Sequence, residues 1–195
     1  MRPELLYRRL CIGTAAERTE LGIGQIDIDE TGVVLARYSN GRAGALGLKV
    51  NLFANHIFYW GEAHAAMTIG EERAAGMDAC ATALRLGVPL SIHSDEPVTP
   101  IAPLFAMWCA VNRLTHEGRV LGPQERITPE QALHAVTMGP AISLGLDGEI
   151  GSLAVGKRAD IAVLADDPLS VAPEAIRDIA VWGTVTGGRV FPADG

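Results

Sequence analysis

The sequence predicts an α/β fold in which parallel strands alternate with helices, followed by a β-rich C-terminal region. From residue 48 to residue 118, apolar runs and helical periodicity alternate in the order strand, helix, strand, helix, which is typical of parallel sheets with helical crossovers. After Gly148, glycines at turn spacing separate short β-rich runs. The chain has 195 residues, 48% of them hydrophobic and 20% charged, which is enough to build one good core.

The first 45 residues show no pattern that assigns them to a domain. Residues 25–38, QIDIDETGVVLARY, predict two short strands around a Glu-Thr-Gly turn. Residues 39–47, SNGRAGALG, are typical of a glycine-rich loop. We therefore divide the chain into three parts, which are an unassigned segment 1–45, an α/β region 46–147 and a β-rich region 148–195.

The α/β region begins with two strands that flank a predicted helix. The strands are LKVNLFA and VPLSIHS, at residues 48–54 and 88–94. Residues 68–87 predict one helix, because an acidic first turn suits the positive end of the helix dipole and Gly87 can end it. Met77, Ala81 and Leu84 fall on one face of this helix.

Two further helical segments follow the second strand. Residues 103–118 predict a helix that opens at Pro103. Residues 127–139 predict another, with Thr128 as N-cap and Gln131 placed for a capping box, and residues 140–146 add a short helical turn. The small apolar residues expected in the core include Cys80 and Cys109, and mid-helix His134 is expected to pack.

The C-terminal region is predicted to form strands joined by tight turns. Residues 148–168 contain β-rich runs between glycines, and residues 179–191, IAVWGTVTGGRVF, predict a hairpin that turns at Gly187 and Gly188. We expect these strands to pack outside the α/β region, with Trp182 contributing to their core.

Charge, cysteines and hydropathy exclude several functional classes. The formal net charge of −7 argues against a nucleic-acid partner, which requires basic patches. The three cysteines are odd in number and form no CxxC pair, so we expect neither disulfides nor a cysteine zinc site, and a cytoplasmic location. No apolar run reaches the roughly 18 residues that cross a membrane, and the N-terminus lacks the apolar core of a signal peptide.

Polar side chains follow both strands of the α/β region at the point where each strand ends. Asp95 follows the second strand, where a carboxylate can bind a cation and take a proton from water, or can simply cap the next segment. His56 follows the first strand and can serve as the polar handle of an aromatic pocket or bond to backbone. His93 can orient Asp95 or a ligand, or can face the wall of the sheet. We interpret His64 as a surface residue in a loop.

Three motifs in the sequence resemble those of the amidohydrolase superfamily. They are HSDEPV at residue 93, NLFANHIFYWGE at residue 51 and the tail motif GSLAVGKRADIAVL at residue 151. The tail motif is specific for the superfamily, and the other two indicate its N-substituted formamide deformylase-like branch. The resemblance extends from about Gly47 to Phe191.

The resemblance implies a fold, a chemistry and a set of site residues. The fold would be a metal-bearing (β/α)8 barrel beside a small β-sandwich, with 46–147 supplying the last two β/α units and 148–191 returning sandwich strands. The reaction would be metal-assisted hydrolysis of a C–N bond in a small amide-like substrate. Asp95 would contact the metal and act as the catalytic base. The substrate-binding residues would be His56, Tyr59, Trp60 and His93.

Other parts of the family pattern are absent from the chain. No His-x-His pair occurs and no histidine precedes His56, whereas a catalytic zinc has about three protein ligands. Only two barrel strands are found, and a full barrel needs about 250 residues. We therefore expect a truncated hydrolase whose full-length parent holds a divalent metal, most simply zinc, and a chain that binds metal weakly or not at all.

Two other functions and one kind of association stay open. The chain can be a catalytically inactive fragment or interaction module, or a metal-free small-molecule binder. The edges of strands 48–54 and 88–94 would lack barrel neighbours, so self-association is expected. Glu62 and Glu96 stand where the family more often has Asp and a small residue, which leaves the substrate preference open.

Overall fold

The computed structural model describes two N-terminal strands and the continuous segment 49–193. The N-terminal strands, β1 (Ile23–Ile28) and β2 (Val34–Tyr38), pair antiparallel, with Ile26 opposite Ala36. This pair confirms the two strands predicted within 25–38, while the turn between them lies outside the described residues.

A pair of short parallel strands forms the centre of the α/β region. β3 (Val50–Leu52) and β4 (Leu90–Ile92) are parallel, and Val50 lies opposite Leu90. Parallel strands need a crossover connection, and helices supply it here. The crossover contains, in order, α1 (Asn55–Ala63), a π-helix (His64–Thr68), α2 (Glu71–Ala75) and α3 (Cys80–Arg85).

The single helix predicted for 68–87 is wrong, because the chain breaks between α2 and α3. Asp78 has a φ of 45°, in the left-handed region that does not continue an α-helix. The carbonyls of Ala75, Met77 and Asp78 accept hydrogen bonds from the Arg113 guanidinium. A distant side chain therefore replaces the helical amide donors here, and sequence periodicity carries no signal of this.

The helices after β4 begin where the sequence predicts and end sooner. α4 spans Pro103–Asn112 and stops at Arg113, whose φ is 51°. α5 (Pro129–Val136) has the predicted capping box between Thr128 and Gln131, and α6 (Met138–Leu144) follows it. His134, predicted to pack, is exposed on α5.

The core lies between β3, β4 and the faces of α4 and α5 that turn toward them. Its buried members include Leu90, Ile92, Met107, Trp108 and Ala132. Cys80 and Cys109 are buried in it as predicted, and burial raises the pKa of the Cys80 thiol to about 12.

α6 is held very close to β4 by a residue without a side chain. A Cβ atom on Gly139 would lie 2.2 Å from the backbone oxygen of Leu90. No larger residue fits this contact without moving β4, and His93 and Asp95 follow directly after β4.

The C-terminal region contains a three-stranded antiparallel sheet. β5 (Ile161–Leu164), β6 (Val181–Thr186) and β7 (Arg189–Pro192) are adjacent in that order, and Gly187 and Gly188 form the predicted turn. A 3-10 helix (Pro173–Asp178) packs on α4, where Trp108 Nε1 donates to the carbonyl of Glu174 at 2.9 Å.

Trp182 does not contribute to a core as predicted, since 58% of it is exposed. Neighbouring residues of a strand point to opposite faces, and on β6 the buried position is Gly183 rather than Trp182. The period-2 pattern locates this strand correctly but does not say which of its faces is covered.

Within the part of the chain that the structure describes, none of the helices has the length and apolar character needed to cross a bilayer.

Candidate functional site

The ends of β3 and β4 meet at one edge of the parallel pair. After β3 the chain turns at Phe53 and Ala54 and enters α1 at Asn55. After β4, the His93 amide still donates to the carbonyl of Leu52 at 3.0 Å, so His93 stays beside the first strand. Since parallel strands deliver their carboxyl ends to the same edge, polar groups from both strands converge there.

A cavity of about 500 Å³ opens at this edge, and we call it the histidine cavity. Its lining residues are Asn51, Leu52, Phe53, His56, Trp60, His64, Asp78, His93, Asp95 and Val98. A second cavity of about 400 Å³ shares Asn51, His93 and Asp95 with it and also contains Glu96. The structure therefore brings together His56, Trp60, His93 and Asp95 of the predicted site.

Tyr59, the remaining predicted site residue, lines neither of these two cavities. Its ring packs edge-on against Phe58 with centroids 5.2 Å apart, and it also contacts Trp60 and Phe105. Tyr59 and Trp60 are adjacent on α1, so the helical twist turns their side chains about 100° apart. Only Trp60 faces the cavity.

The Phe53 ring packs against two imidazoles. It stacks on His56 with centroids 5.4 Å apart and on His93 at the same separation, with interplanar angles of 26° and 24°. Trp60 then meets His56 edge-on at 5.4 Å. This wall is flat and aromatic, with ring nitrogens as its polar groups, which suits a small molecule that has one polar end.

His64 belongs to the site, and its predicted surface location is wrong. It is 8% exposed, and its Nε2 lies 3.0 Å from Nε2 of His56. His56, Trp60 and His64 are spaced four residues apart, which places them on one face of a continuous helix. The sequence contains this spacing, but it predicts a shared face only if the segment is helical. The sequence predicts a loop at His64 instead.

Asp95 is exposed at the mouth of the histidine cavity, in left-handed backbone with a φ of 53°. Its carbonyl accepts from the Val98 amide at 2.7 Å, which closes a turn directly after the strand. Asp tolerates this conformation better than most residues, because its short polar side chain can adopt it with little strain. Within the described residues the Asp95 carboxylate makes no hydrogen bond or ion pair, so it can accept a proton or meet a cation.

A buried hydrogen-bond chain ties the loop of Asp95 to the start of α1. Thr99 donates to the carbonyl of Ser94 and accepts from Asn55 Nδ2 at 3.1 Å. Thr99 and Asn55 are both almost completely buried, so these bonds are shielded from water. The segments that follow β3 and β4 are thereby fixed to each other.

Asp78 is a cavity residue that sequence reasoning did not find. Its residue surface is partly exposed, but its Oδ2 is buried and has no hydrogen-bond partner among the described residues. Desolvation raises the pKa of Asp78 to about 7, although the nearby Arg113 charge and a backbone hydrogen bond from Phe53 lower it. The sequence offers little reason to single out Asp78, because it lies within residues 68–87, which predict one helix.

Arg113 supports the far side of Asp78. Its guanidinium donates to the carbonyls of Leu121 at 2.7 Å, Met77 at 2.9 Å and Asp78 at 3.1 Å, and also to Ala75. We call Arg113 and these four carbonyls the Arg113 cluster. Arg113 is 1% exposed, and this burial lowers the pKa of its guanidinium. The cluster fixes the backbone that carries Asp78.

Glu62 and Glu96, the two departures from the family pattern, have different surroundings. Glu62 lines neither cavity, because Arg119 donates to both of its carboxylate oxygens. The hydrogen bond from Arg119 is the largest of the influences that lower the pKa of Glu62. Glu96 does line the smaller cavity, so of the two it is the one that can influence a ligand.

The donor set near Asp95 does not form a complete metal site. Across β1, β2 and residues 49–193, no three His, Cys, Asp or Glu side chains are grouped so that they could hold a metal ion. Asp95 can therefore be one ligand, while the described residues do not supply the two others that a catalytic zinc requires.

Known proteins of one family resemble this chain. The model of the amidohydrolase family matches residues 14–192. The chain is 34% identical over 143 residues to N-substituted formamide deformylase of Arthrobacter pascens, covering 72% of this chain and 26% of that protein. It is 31% identical over 159 residues to Protein LONG AFTER FAR-RED 3 of Arabidopsis thaliana, covering 80% and 27%.

Solved structures show the same relationship. An uncharacterized metal-dependent hydrolase from Pyrococcus horikoshii superposes with a TM-score of 0.56 at 27% identity, covering 68% of this chain and 27% of that one. A second, from Pyrococcus furiosus, gives 0.54 at 29% identity, covering 66% and 26%. The chain spans about a quarter of the length of the curated relatives named above. With the family model matched over most of its length, this chain belongs to the amidohydrolase family.

Proposed function

We propose that the chain supplies the water-activating base and part of the substrate pocket of a metal-dependent hydrolase that cleaves C–N bonds in small amide-like molecules. The position of Asp95 carries the proposal, since its carboxylate, which has no partner among the described residues, follows a parallel strand and lines an aromatic cavity. In this proposal β3 and β4 are the seventh and eighth strands of a (β/α)8 barrel, and β5 to β7 belong to its β-sandwich.

The reaction assigns Asp95 two proton transfers. Its carboxylate takes a proton from a water molecule as the water oxygen attacks the carbonyl carbon of the substrate. The C–N bond then breaks, and the departing nitrogen takes the proton from Asp95, which returns to its ionised form. The exposed position of Asp95 leaves room for both water and substrate beside it.

The cavity wall would orient the substrate for this attack. Phe53 and Trp60 offer flat apolar surface, while His56 and His93 place ring nitrogens on the same wall. A substrate with an apolar substituent on one side of its amide could pack on the rings and leave its carbonyl facing Asp95.

The names of the solved neighbours support a divalent metal in this reaction, with zinc the simplest choice. Such an ion would polarise the carbonyl and lower the pKa of the attacking water. Asp95 would be one of its ligands. The others are not among the described residues, so we assign no step of the reaction to the metal.

Formate release from N-benzylformamide, measured with Zn²⁺ supplied, tests the proposal. The wild-type chain should release formate, Asp95→Asn should reduce the rate at least about 100-fold, and Asp166→Asn, a matched change of an exposed acid, should not.

Equal rates for the wild type and Asp95→Asn would contradict the role of Asp95. A wild-type chain that binds the amide in the cavity without hydrolysing it would instead be a small-molecule binder. A chain that neither binds nor hydrolyses it would be an interaction module.

A further inference from the structure

The two histidines on the face of α1 and the following π-helix form a pair with an unusual contact. Nε2 of His56 and Nε2 of His64 lie 3.0 Å apart, and the ring planes meet at 89°. Two ring nitrogens at this distance share one proton, because one must donate and the other must accept. The Nε2 atoms of both imidazoles therefore face the same small volume at the cavity wall.

Thr68 holds the outer nitrogen of the His64 ring. The Thr68 hydroxyl lies 2.6 Å from His64 Nδ1 and also donates to the carbonyl of His64 at 3.4 Å. These contacts orient the ring so that its Nε2 faces His56. A hydrogen bond to the outer ring nitrogen orients a histidine in the same way in metal sites.

The charges of the histidine cavity favour a cation. Asp78 and Asp95 line it, whereas neither Lys nor Arg is among its lining residues in the described part of the chain. The Oδ2 of Asp78 is buried without a hydrogen-bond partner in that same part, and the low dielectric strengthens its attraction for a positive charge.

We propose that His56 and His64 form a two-histidine site for a divalent transition-metal ion such as Zn²⁺, Ni²⁺ or Cu²⁺. Imidazole nitrogen suits these ions. Two nitrogens bound to one tetrahedral Zn²⁺ at about 2.0–2.1 Å lie about 3.3 Å apart, so the pair needs to open by only a few tenths of an ångström.

Metal binding displaces the proton that the two Nε2 atoms share. Each ring then carries its one proton on Nδ1, so both rings are neutral, both Nε2 lone pairs bind the ion, and water completes its coordination. Affinity should therefore fall in acid, where protons compete with the ion for both nitrogens. Asp95 is not a ligand in this site, and the proposal does not depend on hydrolytic activity.

Titration of the purified chain with ZnCl₂, followed by calorimetry at pH 7.5, tests the site. We expect one equivalent to bind. His64→Asn and His56→Asn should each weaken binding at least about 10-fold, and Thr68→Val should weaken it about 10-fold while leaving both ligands present. His134→Ala, which removes an exposed histidine, should bind like wild type, and Asp95→Asn should keep the ion that the histidine pair holds.

The Asp95→Asn result separates this site from the proposed hydrolase. If that variant alone loses Zn²⁺, the ion binds at Asp95 and the histidine pair is not the site. Wild-type affinity in both His56→Asn and His64→Asn would overturn the proposal in the same way.

A measurement on the wild-type chain keeps the test valid if a variant fails to fold. Added Cu²⁺ should broaden the imidazole NMR signals of His56 and His64 before those of exposed His116 and His134. Broadening of all histidine signals together would show non-specific binding and overturn the proposal.

Discussion

Arg113 and Asp95 adopt nearly the same left-handed backbone conformation, with φ values of 51° and 53°, but their side chains have opposite surroundings. Arg113 is buried, and its guanidinium is bound by the four carbonyls of the Arg113 cluster. Asp95 is exposed and, within the described residues, makes no side-chain hydrogen bond. A charge whose bonds are all internal holds the fold together, while a charge without internal partners remains able to react.

Replacing Arg113 should give the largest effect. Arg113→Met keeps the length of the side chain but removes the donor of the Met77 and Leu121 carbonyls, while those of Ala75 and Asp78 keep Gln124 and the Cys80 amide. Each carbonyl that stays unsatisfied costs about 1–3 kcal/mol. We expect the free energy of unfolding to fall by about 4 kcal/mol in urea denaturation. Arg158→Met, which removes an exposed ion pair with Glu149, should change it by less than about 1 kcal/mol. Similar losses in the two variants would contradict the structural role of the cluster.

Asp78 lines the histidine cavity, and its backbone is bound by Arg113. Its titration should make the free energy of unfolding depend on pH. Its folded pKa of about 7 exceeds the unfolded value of about 3.9, so between these pH values the folded state holds a proton that the unfolded chain has released. Wild-type stability should therefore fall as the pH rises from about 4 to 7, by at most about 1.4 kcal/mol per pH unit.

Denaturation of Asp78→Asn across the same pH range checks this expectation. The stability of the variant should not fall over this range. The difference in stability between the variant and wild type should therefore shift in favour of the variant as the pH rises from about 4 to 7. Asp166→Asn, at an exposed position, should keep the slope. Parallel pH curves for the wild type and Asp78→Asn would show that Asp78 titrates normally.

Thr99 should give an intermediate effect, because it joins the segments after β3 and β4. Thr99→Val preserves the shape of the side chain but removes the bonds to Ser94 and Asn55, and we expect a loss of about 1–2 kcal/mol. Thr137→Val removes an exposed side-chain bond to the carbonyl of Leu133 and should cost less than Thr99→Val. Thermal or urea unfolding of both variants provides the measurement, and the reverse order would be inconsistent with a buried link.

Asp95 should give the smallest effect on stability. Asp95→Asn removes an exposed carboxylate that bonds to none of the described residues, so the free energy of unfolding should stay within about 0.5 kcal/mol of wild type. The same variant should lose formate release if the proposed function holds. A large loss of stability would instead assign Asp95 a structural role and remove its contrast with Arg113.

The sequence predicted the features that depend on local chemistry. The parallel strands around residues 50 and 90, the capping box at Thr128 and the turn at Gly187 each follow from residue type and spacing. The convergence of His56 and Asp95 on one cavity follows from their positions after neighbouring parallel strands.

The features that the sequence did not predict depend on contacts between distant residues. The break between α2 and α3 is stabilised by Arg113, 35 residues beyond Asp78, which binds the carbonyls that have lost their helical amide donors. His64 faces His56 only because α1 starts directly after the strand and continues into the π-helix. Trp182 is exposed because the covered position on β6 is Gly183, and alternation alone does not identify the covered face.

The stacking of Phe53 on both His56 and His93 makes the site observable without any added label. A benzene ring in a magnetic field shields nuclei that lie above and below its plane. Both imidazoles lie on the faces of the same ring, so their carbon-bound protons should resonate upfield of those of exposed His134. Any movement of one strand end relative to the other would change these two shifts, so the chain carries its own spectroscopic reporter of how the cavity is assembled.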